Sequence, residues 1–475
     1  MKVDLAVLGG GSGGYIAARR AAQLGMRVAV VECRHLGGVC LNRGCVPTKT
    51  MVQAVRIANQ IRRAAAYGVV VAGEPAIDYA ALLAKRDEVV ERLRTGLGDL
   101  LQLAGIPVIP GRASFAGPNT LAITPVSAEV AAGLGSMGST VDTLDAGHIV
   151  IATGSRPAGL PPDCVAHPRV IDSDGALALK ALPSSLLVVG AGPIGCEWSF
   201  IFAGLGCKVT LVTRRPHVLP QEDPDLGAVL AETLRAMDVT IHTGTRVASI
   251  VGAEDDVEVE LDGECQRTVT AEYVLVAAGR LPLTEGLELE SIGIETEGAG
   301  WVKVDDYLRT NVPSVLAIGD VTGRCLLAHV AFSHAVIAVE KLAGLSPKPA
   351  RADRIPNVVY TEPEVASVGL TEAQAREGGL GISIGEFPNF ANARAVTRGQ
   401  EEGFVKVVAD SGSGRVLGVH MIGPDAGELI ADAVSALEKE WTLDEVAEVM
   451  RPHPTLCESL GEACLTAAGR PLFSV

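Results

Sequence analysis

In the segment GGVCLNRGCVPTK, Cys40 and Cys45 are the residues whose type and spacing point most directly to chemistry. Such a pair can be a structural disulfide, half of a metal site or a redox couple. A disulfide needs Cα atoms no more than about 7 Å apart. Inside a regular helix this spacing would leave them about 8–9 Å apart. The pair can therefore close only if regular helix has not begun between them. Gly44 supplies backbone freedom there, and Pro47 fits the first turn of a helix starting near Cys45. A thiolate at that helix mouth gains from the macrodipole, so the sequence allows a disulfide with unequal thiols. Zinc is disfavoured, because no second cysteine or histidine pair at ligand spacing accompanies the first, and no metal is expected. Exchange between thiols and disulfides also needs a base. HPTLCE offers His453, with an intrinsic pKa suited to proton transfer, and Glu458, an acid able to orient the ring.

The elements that must position these groups are announced by a repeat. Residues 4–32, DLAVLGGGSGGYIAARRAAQLGMRVAVVE, align without gaps to residues 185–213, SLLVVGAGPIGCEWSFIFAGLGCKVTLVT. Each copy is an apolar strand, a GxGxxG turn, a helix pattern ending at Leu-Gly and a second apolar strand. This is a dinucleotide fingerprint in its βαβ setting, and two copies make a far stronger signal than one. Gly9 and Gly190 are expected to make the tight turn. Gly11 and Gly192 leave room for a pyrophosphate, and Gly14 and Gly195 let helix and strand pack closely. The N–H groups of each helix start then face the phosphates. Glu32 ends the second strand of the first copy, where an acid takes ribose hydroxyls. Its counterpart is Thr213, followed by Arg214 and Arg215. The second site thus lacks the usual NAD determinant and carries groups suited to a 2′-phosphate.

Further echoes complete the plan. HIVIATGSRP and YVLVAAGRLP read as buried strands that leave their sheets at Gly154 and Gly279, and VPSVLAIGD as a third strand ending at Asp320. Beyond these, NVVYTEPEVASVG, GFVKVVAD and RVLGVHMIG read as antiparallel strands, followed by helices from Ala426 to Val449. The stretch 126–141, rich in small residues, reads as a loop insertion. The expected fold is α/β: two Rossmann-like dinucleotide-binding domains plus a C-terminal α+β dimerisation domain. The expected boundaries are 1–155 for the first nucleotide domain with the cysteine pair, 156–281 for the second, 282–350 for a central segment completing the first site, and 351–475 for the interface domain.

Bulk properties narrow the function. A net charge of −16 argues against a nucleic-acid partner. No apolar run approaches the ~20 residues that span a bilayer, so no membrane role is expected. VDLAVLGG enters a strand directly, so neither a signal or transit peptide nor a lipoyl-carrying extension is expected before it. Ten cysteines in 475 residues do not form a disulfide scaffold, which points to a reducing, cytoplasmic setting. The 54 glycines and 4% aromatics suit tight strand-to-helix turns around extended ligands.

With two fingerprints, a cysteine pair after the first, the AIGD strand and the α+β end, the chain resembles the pyridine nucleotide–disulfide oxidoreductases along essentially its whole length. The resemblance implies FAD in the first domain, NAD in the second (or NADP, given Thr213, Arg214 and Arg215), and a homodimer interface in the last. It makes Cys40 the thiol that exchanges with substrate and Cys45 the charge-transfer thiol facing the flavin. Lys49 matches a lysine near the flavin ring, and Glu197, in GAGPIGCEWSF, the glutamate paired with it. Asp320 matches the acid on the FAD ribityl chain. HPTLCE is similar to the family's HPT-x-x-E element, which makes His453 the acid–base and Glu458 its partner. In the family this histidine reaches the disulfide of the other subunit, so the active site is shared. Cys457 stands where the family commonly has serine, either as a small buried residue or as a third thiol sensitive to oxidants or metal ions.

LNxGC-x-PTK, RIPNVVYTEPEVASVGLTE and VLGVHMIGPDAGELI most resemble the members that oxidise dihydrolipoyl groups. GRPLFSV at the end lacks the cysteine pair of a mercuric reductase. The expected substrate is a dihydrolipoyl group or another small dithiol or disulfide. A 2-oxo acid dehydrogenase or glycine cleavage complex is the candidate larger partner. The competing readings are an NADPH-dependent disulfide reductase resembling glutathione reductase and a non-catalytic nucleotide-binding subunit.

Overall fold

The computed structural model describes residues 1–134, 141–159, 167–252 and 256–473. Each copy of the repeat folds as its glycine spacing requires. Strand Lys2–Leu8 leads into helix Ser12–Gln23, and strand Val28–Glu32 returns parallel to the first, with Leu5 beside Val28 and Leu8 beside Val31. Strand Ser185–Val189, helix Pro193–Gly204 and strand Lys208–Val212 repeat the arrangement, with Val189 beside Val212. Gly9 and Gly190 have φ of +101° and +106°. A Cβ on either would lie 2.5 Å from a carbonyl oxygen, of Ala152 or Ala277. On Gly14 or Gly195 it would lie 1.8 Å from the carbonyl oxygen of Gly9 or Gly190. No side chain fits such gaps, so the turn geometry itself demands glycine at these positions.

By contact density the chain divides into one unit of residues 1–50, 81–158 and 279–352 and another of 51–80, 159–278 and 353–475. In the first, Lys2–Leu8 is the central strand. Val28–Glu32 and then Val108–Gly117 lie to one side, and Thr143–Ile151 and then Val315–Ala317 to the other, all parallel. Strand Thr120–Pro125 joins antiparallel, as the middle of a meander. Both faces of this sheet are covered: Ala6 and Leu8 enter one apolar cluster, Leu5 and Val7 another. That double burial explains why its strands read as continuous apolar runs.

In the second unit, a parallel sheet runs in the order Thr240–His242, Lys208–Val212, Ser185–Val189, Tyr273–Val276, Val170–Ile171. The same unit holds an antiparallel sheet in the order Asn357–Val359, Glu364–Gly369, Val416–Gly423, Phe404–Asp410, Ile382–Pro388. Helices Ala426–Lys439, Leu443–Ala447 and Glu458–Ala467 contribute to a core with Val405, Val407, Val419 and Met421. The expected α/β class with two Rossmann-like domains and a C-terminal α+β domain is the architecture found.

Two details differ from the sequence reading. Residues 51–80 belong with the second unit: Val55 packs so closely on Gly204 that a Cβ there would lie 2.3 Å from it, and Arg56 pairs with Glu364 at 2.7 Å. The stretch 126–141 is not simply a loop. Ser127 caps a short helix, Ala128–Gly133, through the Val130 N–H, and its alanines favour that turn. Residues 135–140 lie outside the described residues.

Candidate active site

The cysteine segment is built around a broken helix. A short helix, Gly38–Arg43, carries Cys40 and ends at Gly44, whose φ of −142° and ψ of −112° are far from helical. Helix Cys45–Arg63 then starts, with Cys45 as its first residue. A Cβ on Gly44 would press on Val39 O at 3.1 Å and Cys40 Cα at 3.3 Å, so glycine lets the two halves fold together. The Asn42 side-chain amide donates to Leu36 O at 2.8 Å and Gly38 O at 2.9 Å, bracing the first half. Both cysteines are free thiols here, and their sulfurs are hydrogen-bonded to each other. That bond, and then burial, pushes the Cys40 thiol well up; the Cys45 N–H and the Lys49 charge act in the opposite direction. Lys49 lies one helical turn beyond Cys45 on the same face.

This segment is stitched to the first fingerprint by backbone. Gly37 N–H donates to Gly10 O at 2.8 Å, and Gly11 and Gly37 form a parallel bridge. Gly38, at φ +61°, approaches so closely that a Cβ on it would lie 2.7 Å from Gly11 Cα. The glycine pair before Cys40 thus fixes the thiols beside the phosphate turn. Sequence reasoning missed this contact, although GG at 37–38 was its visible trace.

The first turn fits a dinucleotide. Around Gly11 the nearest atom to a built Cβ is Gly38 Cα at 3.6 Å, which leaves the turn open for a phosphate. Glu32 is buried; Oε2 accepts Gly10 N–H at 2.7 Å, and Oε1 accepts those of Cys33 and Arg34 at 2.8 and 2.7 Å. Burial raises its pKa and these N–H bonds oppose the rise. Asp320 lies in the turn Gly319–Thr322. Its Oδ2 accepts from Ser155 Oγ at 2.5 Å, while Arg280 donates to Ser155 Oγ at 2.7 Å and Ser155 O at 2.9 Å. Burial raises the Asp320 carboxyl; the Ser155 bond and the Arg280 charge pull it down. Ser155 and Arg280 were not singled out from sequence. Their signal was the GSRP and GRLP echo: strands Ser155–Pro157 and Arg280–Pro282 pair antiparallel, beside the positive-φ residues Gly154 and Gly279.

At the second fingerprint no atom lies within 4 Å of a Cβ built on Gly192, so this turn is open as well. Glu197 is buried on helix Pro193–Gly204 and accepts Tyr360 N–H at 3.0 Å. Thr213 is buried at the strand end, where its Oγ1 accepts Arg215 N–H at 3.2 Å, and Arg214 and Arg215 are exposed.

His453 and Glu458 come together as expected. His453 Nδ1 lies 2.9 Å from Glu458 Oε1, and Glu458 Oε2 accepts Thr455 N–H at 2.8 Å. Glu458 opens helix Glu458–Ala467 and is thereby held against the ring. The imidazole is 69% exposed, which leaves Nε2 available to an approaching proton. Cys457 is half-buried, its sulfur 2.9 Å from Thr455 Oγ1. Among the described residues no cluster of three or more side chains could hold a metal ion, and no helix is long and apolar enough to cross a membrane.

The geometry places Cys40, Cys45, Lys49, Gly9, Gly11, Gly14, Glu32, Gly154, Gly279 and Asp320 in the first unit. Gly190, Gly192, Gly195, Glu197, Arg214, Arg215, His453 and Glu458 fall in the second. Chemically, the first set offers a dithiol beside a dinucleotide turn, and the second a nucleotide turn and an exposed acid–base pair.

Comparison with known proteins accords with this. Residues 3–335 match the pyridine nucleotide-disulphide oxidoreductase family, and residues 355–464 match its dimerisation domain. A dihydrolipoyl dehydrogenase of Bacillus subtilis is 39% identical over 473 residues, covering 99% of this chain and 98% of that one. Among solved structures, LpdA of Mycobacterium tuberculosis superposes with a TM-score of 0.87 at 30% identity, covering 97% of this chain and 99% of that one. The HOCl-induced flavoprotein disulfide reductase RclA of Escherichia coli gives 0.84 at 29% identity, covering 97% and 99%.

Proposed function

The chain belongs to the pyridine nucleotide-disulphide oxidoreductases, and from that premise we propose that it oxidises dihydrolipoyl groups to lipoyl groups. It is an FAD-dependent oxidoreductase; the dihydrolipoyl dehydrogenases it resembles pair FAD with NAD. The observation that carries the reading is the contact between the Cys40 and Cys45 thiols across the helix break at Gly44.

In the oxidised enzyme the two sulfurs form a disulfide. A substrate thiolate attacks Cys40, giving a mixed disulfide and releasing Cys45 as a thiolate at the helix mouth, where the macrodipole favours it. The second substrate thiol displaces Cys40, the lipoyl ring disulfide closes, and two electrons remain on the cysteine pair. His453 Nε2 takes the proton from the attacking thiol, and Glu458 on Nδ1 stabilises the imidazolium. FAD, when bound, supplies the two-electron relay from this pair to the nicotinamide. Gly9, Gly11 and Gly14 would form its phosphate turn, Glu32 would hold a ribose, Asp320 would take the ribityl chain, and Lys49 would serve the flavin ring. Gly190, Gly192 and Gly195 do for the nicotinamide nucleotide what the first turn does for FAD.

By segment, residues 1–155 with 282–350 bind FAD, 156–281 bind the nicotinamide nucleotide, and 351–475 form the dimer contact. In the homodimer His453 serves Cys40 of the partner subunit. The lipoyl group comes from a 2-oxo acid dehydrogenase or glycine cleavage complex. The test is turnover of dihydrolipoamide with an oxidised nicotinamide nucleotide. A protein that ignores dihydrolipoamide yet reduces glutathione disulfide with NADPH contradicts the proposal.

A further inference from the structure

The two nucleotide turns share their positive-φ first glycine and the close approach of the third glycine to it, which brings out the place where they part. Gly9 N–H donates to Val31 O and Gly190 N–H to Val212 O, each at 2.8 Å, so the next residues, Glu32 and Thr213, are true structural counterparts. Both close the following turn in the same way: Glu32 Oε1 accepts Arg34 N–H at 2.7 Å, and Thr213 Oγ1 accepts Arg215 N–H at 3.2 Å. What is missing at Thr213 is the second oxygen, the one that Glu32 sends back to Gly10 N–H at 2.7 Å. The carboxylate that would take ribose hydroxyls and repel a phosphate is gone, and the hydroxyl in its place is occupied by the backbone.

Charge changes with it. Glu32, Cys33 and Arg34 sum to zero formal charge; Thr213, Arg214 and Arg215 sum to +2. The chain carries 56 acidic against 40 basic residues. Some exposed arginines elsewhere are neutralised by a carboxylate, as Arg246 is by Asp262 and Arg376 by Glu372. Among the described residues Arg214 and Arg215 hold no ion pair, although both side chains are exposed. Two guanidinium groups without a carboxylate partner follow directly on the strand end where this fold receives an adenosine ribose, and guanidinium forks suit a phosphate monoester.

We propose that the second site selects the 2′-phosphorylated nicotinamide nucleotide, NADP(H), over NAD(H), with Arg214 and Arg215 as the selecting residues and Thr213 as the position that permits them. This rests on the assignment of the second fingerprint to a nicotinamide nucleotide. The chain thereby departs from the NAD-linked dihydrolipoyl dehydrogenases at one strand end while keeping the rest of the site.

The test uses the FAD-loaded dimer and does not depend on the dithiol reaction. Calorimetric binding of 2′,5′-ADP and of 5′-ADP reads the subsite directly. Binding of 2′,5′-ADP is expected to be at least ~10-fold tighter and to weaken with salt. Arg214→Ala and Arg215→Ala are each expected to erase most of that difference, and Thr213→Glu to reverse it, with 5′-ADP binding little changed in the arginine variants. Reduction of bound flavin by NADPH is expected to exceed that by NADH. Equal binding of the two ADP compounds, or faster flavin reduction by NADH, overturns the selectivity while leaving the oxidoreductase reading intact. Flavin reduction by neither nucleotide overturns both.

Discussion

His453 bears the sharpest chemical demand on any single side chain. A dithiol near neutral pH is mostly protonated, so exchange at Cys40 is slow unless a base removes a proton as the thiol arrives. The ring is held at Nδ1 by Glu458 at 2.9 Å, which leaves Nε2 to do this work. His453→Gln is therefore expected to slow dihydrolipoamide oxidation by ~10²–10⁴-fold. Electron flow from reduced nicotinamide nucleotide to a dye bypasses the dithiol step and is expected to stay near wild type. Glu458→Gln should give a smaller loss of the same kind. Equal losses in both assays would show that the histidine supports the structure rather than the proton transfer.

At the scale of elements, the site depends on a backbone contact between two segments, one centred on the fingerprint turn and one on the cysteine pair. Gly38, at φ +61° and with only 2.7 Å between a built Cβ and Gly11 Cα, is the point of closest approach. Gly38→Ala is expected to cost about 1–3 kcal/mol in backbone strain, lower the thermal midpoint and reduce FAD content per chain. Gly96→Ala, in helix Tyr79–Leu103 with nothing within 4 Å of its Cβ, is the control and is expected to be neutral or stabilising. Unchanged FAD content and midpoint in Gly38→Ala would contradict the stitched arrangement.

The same contact shows what one chain's sequence reveals and what it hides. The two fingerprints were legible because part of each turn's demand is met inside the motif itself, as Gly14 answers to Gly9 O and Gly195 to Gly190 O, so the glycine spacing alone shows it. The broken helix was legible because Gly44 and Pro47 act locally. The pairing of His453 with Glu458 was legible through its short motif. Ser155, Arg280 and Asp320 were not read as one cluster, because their meeting depends on strands far apart in sequence coming together. The reach of helix Cys45–Arg63 into the second unit was hidden for the same reason: its packing on Gly204 leaves no periodic trace.

At the scale of the whole molecule, the exposed His453–Glu458 pair and the match of residues 355–464 to a dimerisation domain support a site shared between subunits. Cys45→Ser and His453→Gln proteins, each deficient alone, are expected to complement when mixed under conditions of subunit exchange. A heterodimer then holds one site with both defects and one with none, so about a quarter of wild-type activity should return. Exchange confirmed by mass without any recovery would place both groups of a site on one subunit.

The central claim is that Cys40 and Cys45 are a redox couple in electronic contact with FAD, and anaerobic titration of the oxidised protein with dihydrolipoamide tests it most directly. One equivalent is expected to produce two titratable thiols per chain and a long-wavelength absorbance band from a thiolate beside the flavin. That band should be absent in Cys45→Ser and should disappear when oxidised nicotinamide nucleotide is added. No new thiols and no band, with the flavin spectrum unchanged, would contradict the account.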